Sequence, residues 1–67
     1  MIYYVNNTPQ EAPEARTLAE ALTELNLASQ RGMAVAVNDT VVARPDWETY
    51  ALQTNDRLTI IRATQGG

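Results

Sequence analysis

The sequence predicts an α+β domain in which one amphipathic helix lies across a mixed sheet of four or five strands. Three observations carry this expectation. Short β-branched and aromatic runs recur along the chain, one capped stretch has helical apolar spacing, and Asn and Asp sit between the runs where tight turns are needed. Ile2-Tyr3-Tyr4-Val5 reads as a first strand, and Asn6-Asn7 supplies two side chains that tolerate left-handed turn geometry. The second strand, Thr8 to Glu11, is weaker. Pro9 cannot donate to a ladder and so places it at a sheet edge, and Pro13 closes it.

Thr17 and Glu20 have the spacing of a capping box, in which each side chain satisfies a free backbone N–H at a helix start. A helix is therefore expected from about Leu18 to Leu27. Leu18, Ala21, Leu22 and Leu25 make one apolar stripe, while Glu20, Thr23 and Glu24 face away. Gly32 falls beyond it, in the exit loop.

Met33-Ala34-Val35-Ala36-Val37 and Thr40-Val41-Val42-Ala43 are joined by Asn38-Asp39, a two-residue link suited to a hairpin. Arg44-Pro45-Asp46-Trp47 turns into a short helical or irregular stretch, with Trp47 large enough to plug one end of the core. Asn55-Asp56 makes the last turn before the run Arg57 to Ala63. The order is β-β-α-β-β-β with a bare tail, which divides the chain into a domain over 1–63 and a flexible tail over 64–67.

Composition removes whole classes of chemistry. At 67 residues the chain is one small domain with little room for an internal active site. Cys and His are both absent and Ser29 is the only serine, so Ser/His/Asp and Cys/His machinery is excluded, as is a thiolate zinc site. An enzyme in its own right is not expected, nor a bound metal or cofactor. The net charge of −3 argues against a nucleic-acid partner, since phosphate binding rests on clustered Lys and Arg. No apolar run approaches the ~20 residues of a membrane span, and Met1-Ile2-Tyr3-Tyr4 lacks the basic start of a signal peptide. A cytoplasmic location away from membranes is the expectation.

The sequence ends in Gly66-Gly67, directly after the last strand-like run. A glycine pair has no side chains to clash, so its carboxylate can thread a narrow pocket of another protein and react there. A frayed terminus is the plain alternative. At an average usage of roughly 7%, two glycines fall in the last two places by chance in about 0.5% of chains, which makes chance an unattractive explanation. Lys is also absent, which would protect an activated carboxylate from capture by an internal amine; a genome that favours Arg over Lys explains the same fact equally well.

The ordered set of motifs narrows the reading. Val5-Asn6-Asn7, Thr17-Leu18-Ala19-Glu20-Ala21-Leu22, Ala36-Val37-Asn38-Asp39, Val42-Ala43-Arg44-Pro45-Asp46-Trp47 and Leu52-Gln53-Thr54-Asn55-Asp56-Arg57, followed by a strand and Gly66-Gly67, resemble the ThiS family of thiamine-biosynthesis sulfur carriers over essentially the whole chain. The fold implied is the ubiquitin-like β-grasp. Asn7, Asp39 and Asn55 stand where the family often has Gly, Ala43 replaces a frequent Pro, and Thr64-Gln65 makes the approach to the glycines more polar than usual.

The resemblance implies that an adenylyltransferase related to ubiquitin-activating enzymes joins Gly67 to AMP with MgATP. Sulfur from a persulfide relay, supplied by a cysteine desulfurase, then leaves a thiocarboxylate that thiazole synthase uses to build the thiazole ring. Gly66 and Gln65 would thread the partner's active site. Three other readings stay open: a molybdopterin-synthase small-subunit-like carrier, a ubiquitin-like protein modifier, and a plain interaction module whose glycines are incidental. Because the first and last strands are neighbours in a β-grasp sheet, alternation puts Ile2, Tyr4 and Ile61 on the face away from the helix with Ala34 and Ala36 beside them. That is either one exposed docking patch or scattered surface apolar residues. Arg62, near the tail, is either a steering charge for a partner or a solvated strand end.

Overall fold

The computed structural model describes residues 1–28 and 32–62. Five strands and one α-helix follow one another as β1 (Ile2–Val5), β2 (Thr8–Glu11), α1 (Leu18–Glu24), β3 (Met33–Val37), β4 (Thr40–Val42) and β5 (Arg57–Arg62), with a 3-10 turn at Arg44–Asp46 before the last strand. The sheet order is β2-β1-β5-β3-β4. β1 and β5 run parallel at its centre, and every other neighbouring pair is antiparallel. Pro9 lies in β2, an edge strand, where its missing N–H costs the ladder nothing.

Both hairpins turn on two residues. Asn6 and Asn7 have φ of 48° and 71°, and Asn38 and Asp39 have 50° and 71°, the positive pair that matches strand twist in a type I′ turn. Asn38 also ties this hairpin to β5: its amide donates to Asp56 Oδ1 at 2.9 Å and its Oδ1 accepts the Arg57 N–H at 3.0 Å. The buried Asp56 carboxylate takes a second bond from the Gln53 N–H at 2.8 Å. A buried carboxylate with two such donors anchors the start of β5.

The capping box forms as the sequence predicts, with Thr17 N–H on Glu20 Oε1 at 2.8 Å and Glu20 N–H on Thr17 Oγ1 at 3.1 Å. The Leu18 and Ala19 N–H groups, which no helical carbonyl can serve, donate to Tyr50 O and Trp47 O. The helix stops earlier than expected, at Glu24 rather than Leu27. Asn26 takes φ 61°, and the Asn26 and Leu27 N–H groups turn back onto Thr23 O and Leu22 O at 3.0 and 2.8 Å, a Schellman closure. Leu25 is the C-cap and only half-buried.

The core lies between α1 and one face of the sheet. Leu18, Ala21 and Leu22 pack with Tyr3, Met33, Val35, Val37, Val42 and Leu58, and Ala12, Trp47 and Leu52 complete the cluster. Trp47 donates its Nε1–H to Val42 O at 2.9 Å, and the Arg44 guanidinium carbon sits 4.4 Å from its ring centroid.

Burial holds the Tyr3 phenol above its ordinary ionisation range; the nearby Glu24 carboxylate adds to the effect and Arg16 partly offsets it. The unfolded chain therefore loses this proton first as pH rises. The stability Tyr3 contributes is whole below the unfolded value of 10.0 and is lost as pH climbs through the folded one. Urea titrations above about pH 10 should show the wild-type chain losing stability more steeply than Tyr3→Phe. Parallel pH profiles for the two proteins would remove Tyr3 as the cause.

Candidate functional site: the end of β5 and the open sheet face

β5 is the central strand of the sheet. Its first residues, Arg57 and Leu58, pair with β1, and Leu58 to Arg62 pair with β3, so the strand is anchored on both sides at its start. Gln65, Gly66 and Gly67, the residues expected to thread a partner, lie outside the described residues, as does the expected boundary at 63/64.

Register sorts the residues expected on the open face. Tyr4 pairs with Arg57 and Pro9, Ala34 with Ile61, and Ala36 with both Thr59 and Val41, so all of these project away from the helix. Tyr4 and Ala34 are half-buried, and Ile61 is 49% exposed. Two expectations need correction. Ile2 does not join Ile61: β1 runs parallel to β5 with Tyr4 opposite Arg57, which puts Ile2 level with Asn55. The strand from Asn55 to Ile61 spans about 20 Å, so one continuous Ile2–Tyr4–Ile61 patch does not exist. Ala36 faces the right way but is only 6% exposed, because a methyl group in a central strand is covered by the longer side chains around it.

Arg62 is also displaced from the expected set. It shares the alternation of Leu58 and Ile60 and pairs with Met33, so it belongs to the helix-side face at the exposed end of β5. Val41 is the residue the sequence reading missed. At 66% exposure it is the most open large apolar side chain among those described, and it lies one strand beyond Ala36. Val42 is buried in the core, so alternation along β4 puts Val41 on the outer face. The apolar surface is thus Ile61, Ala34 and Val41, running obliquely across β5, β3 and β4.

A groove beside α1 is lined by Arg16, Thr17, Glu20, Thr23, Glu24 and Glu48 among others. Most of its polar groups already have structural work. Glu20 closes the capping box, Thr23 Oγ1–H donates to Ala19 O, and Arg16 Nε lies 2.6 Å from Glu24 Oε2. Among the described residues no group of His, Cys, Asp and Glu is arranged to hold a metal, and no helix is long and apolar enough to cross a membrane.

A single helix laid over a five-stranded mixed sheet with parallel central strands defines a β-grasp protein. The sequence matches the ThiS family over residues 3–67, and the chain belongs to that family. Its structure is similar to the crystal structure of the thiamine biosynthesis protein ThiS from Geobacter metallireducens, with a TM-score of 0.84 at 23% identity and full coverage of both chains. The solution structure of a thiamine biosynthesis protein from Geobacter metallireducens is similar too, with a TM-score of 0.77 at 23% identity over 100% of this chain and 88% of that one. A comparison with curated proteins returns no significant match.

Proposed function

We propose that the chain is a sulfur carrier for thiamine biosynthesis whose reactive group is the Gly67 carboxylate. The observation that carries this reading is the family match, which runs through the glycine pair to residue 67. A free carboxylate is a poor acyl donor. An adenylyltransferase would therefore join it to AMP, with pyrophosphate leaving from MgATP. A persulfide sulfur then attacks the acyl carbon and displaces AMP, forming an acyl disulfide. A thiol reductant cleaves the S–S bond, and Gly67 is left as a thiocarboxylate for thiazole synthase. The carrier's own side chains take no part in these steps, in keeping with a sequence that has neither Cys nor His.

Incubating the chain with ATP, the adenylyltransferase, a persulfide source and a thiol reductant tests the reading by intact mass. Exchange of one oxygen for sulfur supports a carrier. Ligation to other proteins would make it a modifier, and an unchanged mass would overturn the proposal.

The oblique surface of Ile61, Ala34 and Val41 is the proposed docking face for the adenylyltransferase, since interface energy concentrates in a few apolar anchors. Ile61→Asp should leave folding nearly unchanged and weaken binding by about tenfold or more, whereas Ile2→Asp, at the far end of the sheet, should bind as wild type does. Equal affinities for the two variants in a binding titration would remove this face from the interface.

A further inference from the structure

β5 extends past its neighbour on one side. Along the β3 side it is paired throughout, with Leu58 to Arg62 against Val37 to Met33. On the β1 side pairing stops after Tyr4↔Arg57 and Val5↔Leu58, where the Asn6-Asn7 turn carries the chain away. In an antiparallel ladder the N–H and C=O of one residue point to the same side, and the side alternates along the strand. Asn38 N–H donates to Arg57 O at 2.8 Å, so Arg57, Thr59 and Ile61 address β3. Leu58, Ile60 and Arg62 must address the β1 side. Their bonds agree: Asn6 N–H donates to Leu58 O at 2.9 Å, and Ile60 N–H donates to Asn6 Oδ1 at 2.9 Å, a side chain standing in for the strand that has ended. Beyond that point no group among the described residues bonds the Ile60 carbonyl or the Arg62 N–H and C=O.

We infer that this open lane receives an extended segment of the adenylyltransferase, which adds a strand beside β5 and holds the carrier's tail straight on its way to the enzyme's pocket. The inference rests on the carrier reading. The lane reaches Arg62, the last residue of β5, five residues before Gly67 in the sequence, so a strand added there would lie next to the root of the tail. Arg62 is exposed and has no acidic group within ion-pair distance among the described residues, so the lane of an otherwise acidic chain ends in a positive charge. A strand carrying a carboxylate near that end complements it. Ile61 on one face and half-buried Ile60 on the other offer contacts to its alternate side chains. A second copy of the chain fits less well, because two lanes paired with each other would trap the roots of both tails.

Arg62→Pro deletes the lane-facing N–H and leaves the β3-facing groups untouched, a placement sheets tolerate; Arg62→Ala removes the charge and keeps the N–H. Both variants should keep the wild-type thermal midpoint by circular dichroism. In titrations with the adenylyltransferase the Pro variant should bind about tenfold more weakly than the Ala variant. Equal affinities, with wild-type binding intact, would overturn the added strand and leave the carrier reading standing. Failure of the wild-type chain to bind the enzyme would overturn both. Should Arg62→Pro fail to fold, amide exchange on the wild-type protein decides: the Arg62 amide should exchange fast in the free chain and slowly in the complex, and unchanged exchange would refute the lane.

Discussion

Deleting Gly67 is expected to drop adenylation below detection while the fold stays intact. The deletion draws the terminal carboxylate back by one residue, ~3.3–3.6 Å if the tail is extended. A misplacement of about 1 Å at a reacting group can already cost about 10²-fold, because the reaction depends on near-attack geometry. The neighbouring sheet does not depend on that residue: the core is built from Tyr3, Leu18, Leu22, Val35, Leu58 and their neighbours, all before the tail. Adding a residue after Gly67 should be equally damaging, since the carboxylate then overshoots. ATP–pyrophosphate exchange with the adenylyltransferase reads the loss, with circular dichroism confirming the fold. Wild-type exchange by either folded variant would mean that the glycine pair is not the working end.

Leu22→Ala should cost on the order of 2–5 kcal/mol of stability. Leu22 is fully buried in the core between the helix and the sheet, and its carbonyl also receives the Leu27 N–H that closes the helix. Truncation removes apolar contact and leaves a cavity that a single seven-residue helix cannot collapse without tilting. Chemical denaturation measures the change. A stability equal to wild type would contradict the placement of this helix face against the sheet.

The features legible in the sequence are those that a few adjacent residues determine. The Thr17/Glu20 capping box, the Asn6-Asn7 and Asn38-Asp39 turns and the Pro9 edge strand each follow from local chemistry, and each stands as expected. Alternation likewise put Tyr4, Ala34 and Ile61 on one face of the sheet, because side-chain direction in a strand has a period of two. Level along the strand has no such signature. The parallel register that separates Ile2 from Ile61 depends on how far the chain travels between β1 and β5, and no single residue encodes that distance. The early helix end escaped for a different reason. Asn26 carries a left-handed closure that glycine usually marks, and only its φ and the returning N–H groups reveal it. The open lane beside β5 is a third such case, since it arises from the mismatch between two paired strands rather than from either sequence run.

The claim at the centre of this reading is that Gly67 carries the sulfur, and fragment mass spectrometry of the chain after reaction with ATP, adenylyltransferase, persulfide source and thiol reductant tests it most directly. The expected result is an oxygen-to-sulfur exchange confined to fragments that contain the Gly67 carboxyl group, with every fragment lacking it unchanged. Added sulfur on any other residue, or a fully reacted mixture in which the Gly67 fragments keep their original mass, would contradict it.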